Sequence, residues 1–251
     1  MPTRRSLKTR PRRFGTVGVI MTRANLRFAL RMSAPPDLFE IRLDHLIKHL
    51  AEIEDTIKKL HAPIIMTARH PLEGGASKLD APQRAALLLR FLDHASYVDI
   101  ELRALRELRS VHRQARARKI GVIISFHDLK RTPSLSRLRA KGRAAIAAGA
   151  DIIKVATRTD NYTQVQRLLD FFDEQHVDLA VSAMGIGKLG AKSRLALMRR
   201  GSVLNYAYLG RASFPGQPSL RAIQRWTLSA RHAVALRRRV KPIRLALRAG
   251  C

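Results

Sequence analysis

The sequence predicts an α/β fold, a single (β/α)8 barrel of the TIM type, from three observations. Short β-rich runs alternate with amphipathic helical stretches, and eight such runs fit within 251 residues. Strands alternating with helices build parallel βαβ units, and a barrel of eight units occupies roughly 250 residues. No linker rich in Pro, Gly or Ser divides the chain, and no repeat of fixed period runs along it. The β-rich runs are also polar on one parity towards their C-terminal ends, which is where a barrel opens into its working face.

In chain order, the expected strands cover 16–22, 38–44, 64–69, 97–102, 121–127, 151–156, 178–184 and 203–207. Between most of them lie helical patterns such as "HLIKHLAEIEDTIKKL", "APQRAALLLRFLDHA" and "NYTQVQRLLDFFDEQH". The first gap, 23–37, is less clearly helical. In "FEIRLD" the side chains of Glu40, Arg42 and Asp44 share one face, and Phe39, Ile41 and Leu43 share the other. The same division recurs at Thr67 and Arg69, Asp99 and Glu101, Ser125 and His127, Lys154, and Ser182. Strands covered by helices should read as nearly continuous apolar runs. A polar face on six of them therefore has to point into the barrel.

Composition limits the classes of protein this can be. Hydrophobic residues make up 46% and charged residues 27%, an ordinary globular balance. No apolar run approaches the ~18 residues a membrane span requires. The single cysteine, Cys251, can form no internal disulfide and fits a reducing, cytoplasmic setting. The charge is extreme, with 48 Lys+Arg against 19 Asp+Glu and a net of +29. Residues 1–13 hold six basic residues and no acid, and no acid follows Asp178. We read 1–13 as a flexible basic arm, 14–232 as the barrel and 233–251 as a basic tail. Such a field steers anions and favours a solvated surface, with nucleic-acid binding expected only as a side effect.

Lys154 lies within an apolar strand, "GADIIKVAT". Desolvation and nearby cations would disfavour its ammonium form, and a neutral lysine amine attacks carbonyl carbon to give a Schiff base. The structural alternative is a lysine that pairs with an acid or reaches to the rim. His127 closes the preceding strand, on the parity of Ser125 and beside the strand of Lys154, as a proton-transfer partner should. His45 and His49 stand four apart on a helical pattern but lack the glutamate and third ligand of a zinc helix. "GIGKLG" at 185–190 has the glycine spacing of a dinucleotide loop, yet no acid follows to hold a ribose. Its small residues at a helix start leave room for an anion near Arg194. "RHPLEGG" (69–75) sets an arginine at a strand end and Glu73 on a loop. "FPGQPS" (214–219) is a turn before the last helix that a lid could use.

Taken in order, "EIRLD", "MTARHPLEGG", "YVDIEL", "IISFHDLKRTP", "GADIIKVAT", "SAMGIGKLGAKSR" and "FPGQPS" make the chain resemble the type I 3-dehydroquinate dehydratases. The resemblance implies dehydration of 3-dehydroquinate to 3-dehydroshikimate, in the shikimate pathway, by a homodimeric barrel without cofactor or metal. It implies that Lys154 forms the imine, His127 is the general acid and base, and Glu73 orients His127. Arg194 matches the family's carboxylate-binding arginine, and Glu40, Arg42, Arg69, Ser213 and Gln217 match its other substrate contacts. Departures from the family pattern are Phe126 in place of the common tyrosine and Phe214 in place of a smaller residue. The readings left beside it are another Schiff-base barrel enzyme of the class I aldolase kind and a basic nucleic-acid-binding protein on an inherited barrel.

Overall fold

The computed structural model describes residues 15–76, 78–175, 180–210, 212 and 216–227. The basic arm and tail expected at 1–13 and 233–251 lie outside the described residues, as do Ser213 and Phe214.

Eight strands run in the order β1 (Gly15–Ile20), β2 (Leu38–Arg42), β3 (Ile64–Thr67), β4 (Tyr97–Glu101), β5 (Gly121–Asp128), β6 (Ile152–Arg158), β7 (Ala180–Ile186) and β8 (Leu204–Tyr208). From β1 to β7 each strand pairs in parallel with the next, and β8 pairs in parallel with β1. Between β7 and β8 the ring is joined by Val203 N donating to Val181 O at 3.0 Å and Ser182 Oγ donating to Leu204 O at 2.8 Å. The helices are α1 (Arg23–Leu30), α2 (Leu50–Thr56), α3 (Ala81–Arg90), α4 (Arg109–Ala117), α5 (Leu135–Ala147), α6 (Tyr162–Gln175), α7 (Gly190–Arg200) and α8 (220–227). This is the (β/α)8 barrel the sequence predicts.

The differences lie at element ends. β2 stops at Arg42 because Leu43–His45 turns into a 3-10 coil, although Asp44 stays buried with the strand's polar face. The expected 45–60 helix is broken into 3-10 turns flanking α2. The unclear gap holds α1, whose start is fixed by Thr22 Oγ1 accepting from Asn25 N at 3.1 Å. Its pattern was faint because only Leu26 and Ala29 are buried while Phe28 is exposed. α3 begins at a reciprocal cap, with Asp80 accepting from Gln83 N and Gln83 from Asp80 N.

Apolar side chains form two separate bodies. The larger packs helices against the outer strand faces, including Phe39, Ile41, Phe91, Phe171 and Phe172. The smaller fills the barrel's interior floor with Val17, Ile65, Ile123, Ile152 and Leu204. Above that floor the inward positions become charged, and that transition builds the site.

Candidate active site

Inward parity carries Glu40, Thr67, Asp99, Ser125, Lys154 and Ser182 from six successive strands into the barrel, and all six are buried. Lys154 Nζ donates to Glu40 Oε1 and to Asp99 Oδ2, each at 2.9 Å, and sits 4.0 Å from the centroid of the Tyr206 ring. The charged groups in contact with the amine are therefore carboxylates, the acid pairing that the sequence left open beside nearby cations. Both the ion pairs and the aromatic face hold the amine in place.

Arg69 locks the carboxylates. Its Nη1 donates to Asp99 Oδ1, Glu101 Oε1 and Ser125 Oγ, and its Nη2 to Asp99 Oδ2 at 2.9 Å. Burial opposes its charge, but Asp99 and Glu101 outweigh that and push its pKa well above the ordinary arginine value. Asp99 is correspondingly held well below the carboxylate range, since Arg69 and Lys154 overcome the effect of burial. Glu101 accepts from Arg84 on α3, a fully buried arginine that also donates to Ala68 O at 2.7 Å. Arg42 grips Asp44 with two bonds of 2.9 and 2.8 Å and reaches Gly74 O at 3.0 Å, fixing the loop that carries Glu73.

Glu73 ends a 3-10 turn, Pro71–Glu73, and its Oε2 lies 2.9 Å from both the backbone N and the Nδ1 of His127. Burial dominates both groups. It pushes Glu73 up to about 7, and it pushes His127 well below 6.5 with help from the Arg69 and Lys154 charges. These effects favour the neutral imidazole, and Glu73 Oε2 sits at its Nδ1. His127 and Lys154 stand on paired strands, where Ser125 is opposite Lys154 and His127 is opposite Ala156.

Arg194, on the first turns of α7, donates to Gly185 O at 2.9 Å and Tyr206 O at 3.2 Å. No carboxylate pairs with it among the described residues, and burial alone lowers its pKa to about 10. Gln217 lines the same cavity with Glu40, Arg42, Arg69, Glu73, His127, Lys154 and Arg194, and its Oε1 is buried without a partner among the described residues. The glycines of "GIGKLG" have a packing role. A Cβ on Gly216 would lie 2.7 Å from Gly187 O and 2.9 Å from the Gly190 Cα. The chain at 216 thus occupies the space that the sequence suggested for an anion at the start of α7, and it delivers Gln217 beside Arg194.

The model of the family described as type I 3-dehydroquinase matches residues 22–233. A 3-dehydroquinate dehydratase of Methanosarcina barkeri is 37% identical over 203 residues, covering 76% of this chain and 83% of that protein. The chain belongs to the type I 3-dehydroquinase family. Membership makes it a hydro-lyase rather than an aldolase-like enzyme. A second dehydratase of the family, from Methanothermobacter thermautotrophicus, is 34% identical over 188 residues, covering 74% of this chain and 81% of that one. The solved 3-dehydroquinate dehydratase of Geobacillus kaustophilus superposes with a TM-score of 0.79 at 26% identity, covering 88% of this chain and 92% of that one.

Of the site residues expected from the sequence, the structure brings eight to one cavity: Lys154, His127, Glu73, Glu40, Arg42, Arg69, Arg194 and Gln217. Ser213 lies outside the described residues. Sequence reasoning left three participants off the site. Asp99 was visible in the strand parity but given no role, and Arg84 looked like one more basic residue on an amphipathic helix. Tyr206 has the inward parity of Leu204 in "LNYAY", a signal hidden because an aromatic residue in a strand reads as core.

Proposed function

We propose that this protein dehydrates 3-dehydroquinate to 3-dehydroshikimate through a Schiff base on Lys154. The observation that carries the reading is a buried lysine and a Glu73-anchored histidine on one cavity, with an arginine that has no anionic partner among the described residues.

The substrate carboxylate binds Arg194, which fixes the ring carbon presented to His127. The Lys154 amine adds to the C3 carbonyl, and the carbonyl oxygen leaves as water with two protons passed to it from the ammonium nitrogen, forming the iminium. That cation is an electron sink that acidifies C2. His127 Nε2 takes the C2 proton while Glu73 stabilises the imidazolium through Nδ1–H, and the imidazolium then protonates the departing C1 hydroxyl. The C1–O bond breaks to release water, and hydrolysis of the iminium frees the product and the lysine. Glu40 and Asp99, each 2.9 Å from Nζ, hold the amine on line. Ser213 and Gln217 contribute contacts to the substrate's hydroxyl and carboxylate oxygens.

The place in the shikimate route has support in a relative, a bifunctional 3-dehydroquinate dehydratase/shikimate dehydrogenase of Arabidopsis thaliana, 31% identical over 190 residues. A homodimer working in the cytoplasm completes the proposal. Borohydride added with 3-dehydroquinate should leave a reduced adduct whose peptide maps to Lys154. Turnover without any trapped adduct, or an adduct on another lysine, would overturn the mechanism.

A further inference from the structure

Four buried side-chain atoms have no hydrogen-bond partner among the described residues: Arg84 Nη1, His112 Nε2, Tyr206 Oη and Gln217 Oε1. Two of them, on Tyr206 and Gln217, belong to residues lining the cavity of Lys154, His127 and Arg194, and the other two do not. A polar group shut away from water without a partner destabilises a fold, and it persists where something else uses it. Phenylalanine would fill the same place and offer Lys154 the same ring face without the unpartnered hydroxyl.

Tyr206 is held firmly. It is 4% exposed, it stands one inward position above Leu204 of the apolar floor, and its ring meets the Lys154 amine at 4.0 Å. Its carbonyl accepts from Arg194 Nη1, which ties its backbone to the cation lacking an anionic partner among the described residues. Burial first, then the Glu40 and Asp99 carboxylates, raise its pKa well above 10. The phenol therefore keeps its proton and acts as a donor. Gln217 Oε1, by contrast, is an acceptor. Beside Arg194 and His127, the cavity residues thus carry a buried donor and a buried acceptor without partners among the described residues, which suits a ligand rich in hydroxyl and carboxylate oxygens.

We propose that the Tyr206 hydroxyl donates a hydrogen bond to an oxygen of the bound substrate, making Tyr206 a substrate-binding residue alongside Arg194 and Gln217. The inference rests on the dehydratase reading above. Tyr206→Phe isolates the hydroxyl, because the ring and its contact with Lys154 remain. The variant should lose kcat/KM on 3-dehydroquinate by about 10- to 100-fold, as expected when a buried acceptor is left unpaired. Its ligand-free melting temperature should be equal to or above that of the wild type, and borohydride at saturating substrate should still label Lys154. A kcat/KM within twofold of wild type would overturn the proposal. So would a lowered melting temperature with unchanged kinetics, which would assign the hydroxyl to a partner within the protein. If the wild type itself neither turns over 3-dehydroquinate nor is trapped, the parent reading fails, and this one with it.

Discussion

Replacing Glu73 with glutamine should make the protein more stable and less active, and the gain should depend on pH. The folded carboxyl keeps its proton up to about pH 7, whereas its ordinary value is 4.5. Between those values the folded state binds more protons than the unfolded chain, so stability falls as pH rises through the window. At about 1.4 kcal/mol per pH unit, the full loss is about 3 kcal/mol by pH 8. Glutamine has no charge to desolvate, and its Oε1 can still accept from the backbone N and Nδ1 of His127. Glu73→Gln should therefore melt about 6 to 12 °C above wild type at pH 8 and close to wild type at pH 4.5. The activity should fall by about 10- to 100-fold, since the imidazolium formed during proton transfer loses its charged partner. Calorimetric melts at several pH values, paired with steady-state rates, test both halves. A melting-temperature difference that does not change between pH 4.5 and 8, or a variant less stable at pH 8, would refute the reasoning.

Arg194→Met should raise KM by about 100-fold, because it removes the cation that meets the substrate carboxylate. Its melting temperature should stay within a few degrees of wild type. Relief of the desolvation that lowers Arg194 to about 10 offsets the two bonds lost to Gly185 O and Tyr206 O. Gly216→Ala puts a side chain at a φ of +80°, against Gly187 O and the Gly190 backbone. It should cost about 1–3 kcal/mol in thermal stability and raise KM by displacing Gln217, with borohydride still labelling Lys154.

The barrel and most of its site were legible because they rest on period-two alternation. Glu40 with Arg42, Asp99 with Glu101 and Ser125 with His127 declare their common face within a few residues of sequence. Information carried between distant segments was not legible. Nothing near Lys154 says that Glu40, 114 residues earlier, is its hydrogen-bond partner. The sequence left open whether the amine met cations or paired with an acid, and long-range pairing put it between two carboxylates. Arg84 escaped notice for the same reason, as its contact with Glu101 spans a helix and a strand. The "GIGKLG" glycines show a different limit. Their spacing is that of a dinucleotide loop, but what they accommodate is a second stretch of backbone at Gly216.

The carboxylate and cation layer also constrains how the chain can fold. Lys154 comes from β6, Glu40 from β2, Asp99 from β4, and Arg69 from just after β3. A nascent chain ending before β6 would lack Lys154, leaving Glu40 with only its longer 4.0 Å pair to Arg69 and Asp99 with one of its two cations. Burying that layer early would strand charge, at several kcal/mol for each unpaired ion. The layer therefore rewards joining β2, β3, β4 and β6 in one event, so the residues that make the chemistry also make the barrel's folding cooperative across more than a hundred residues of sequence.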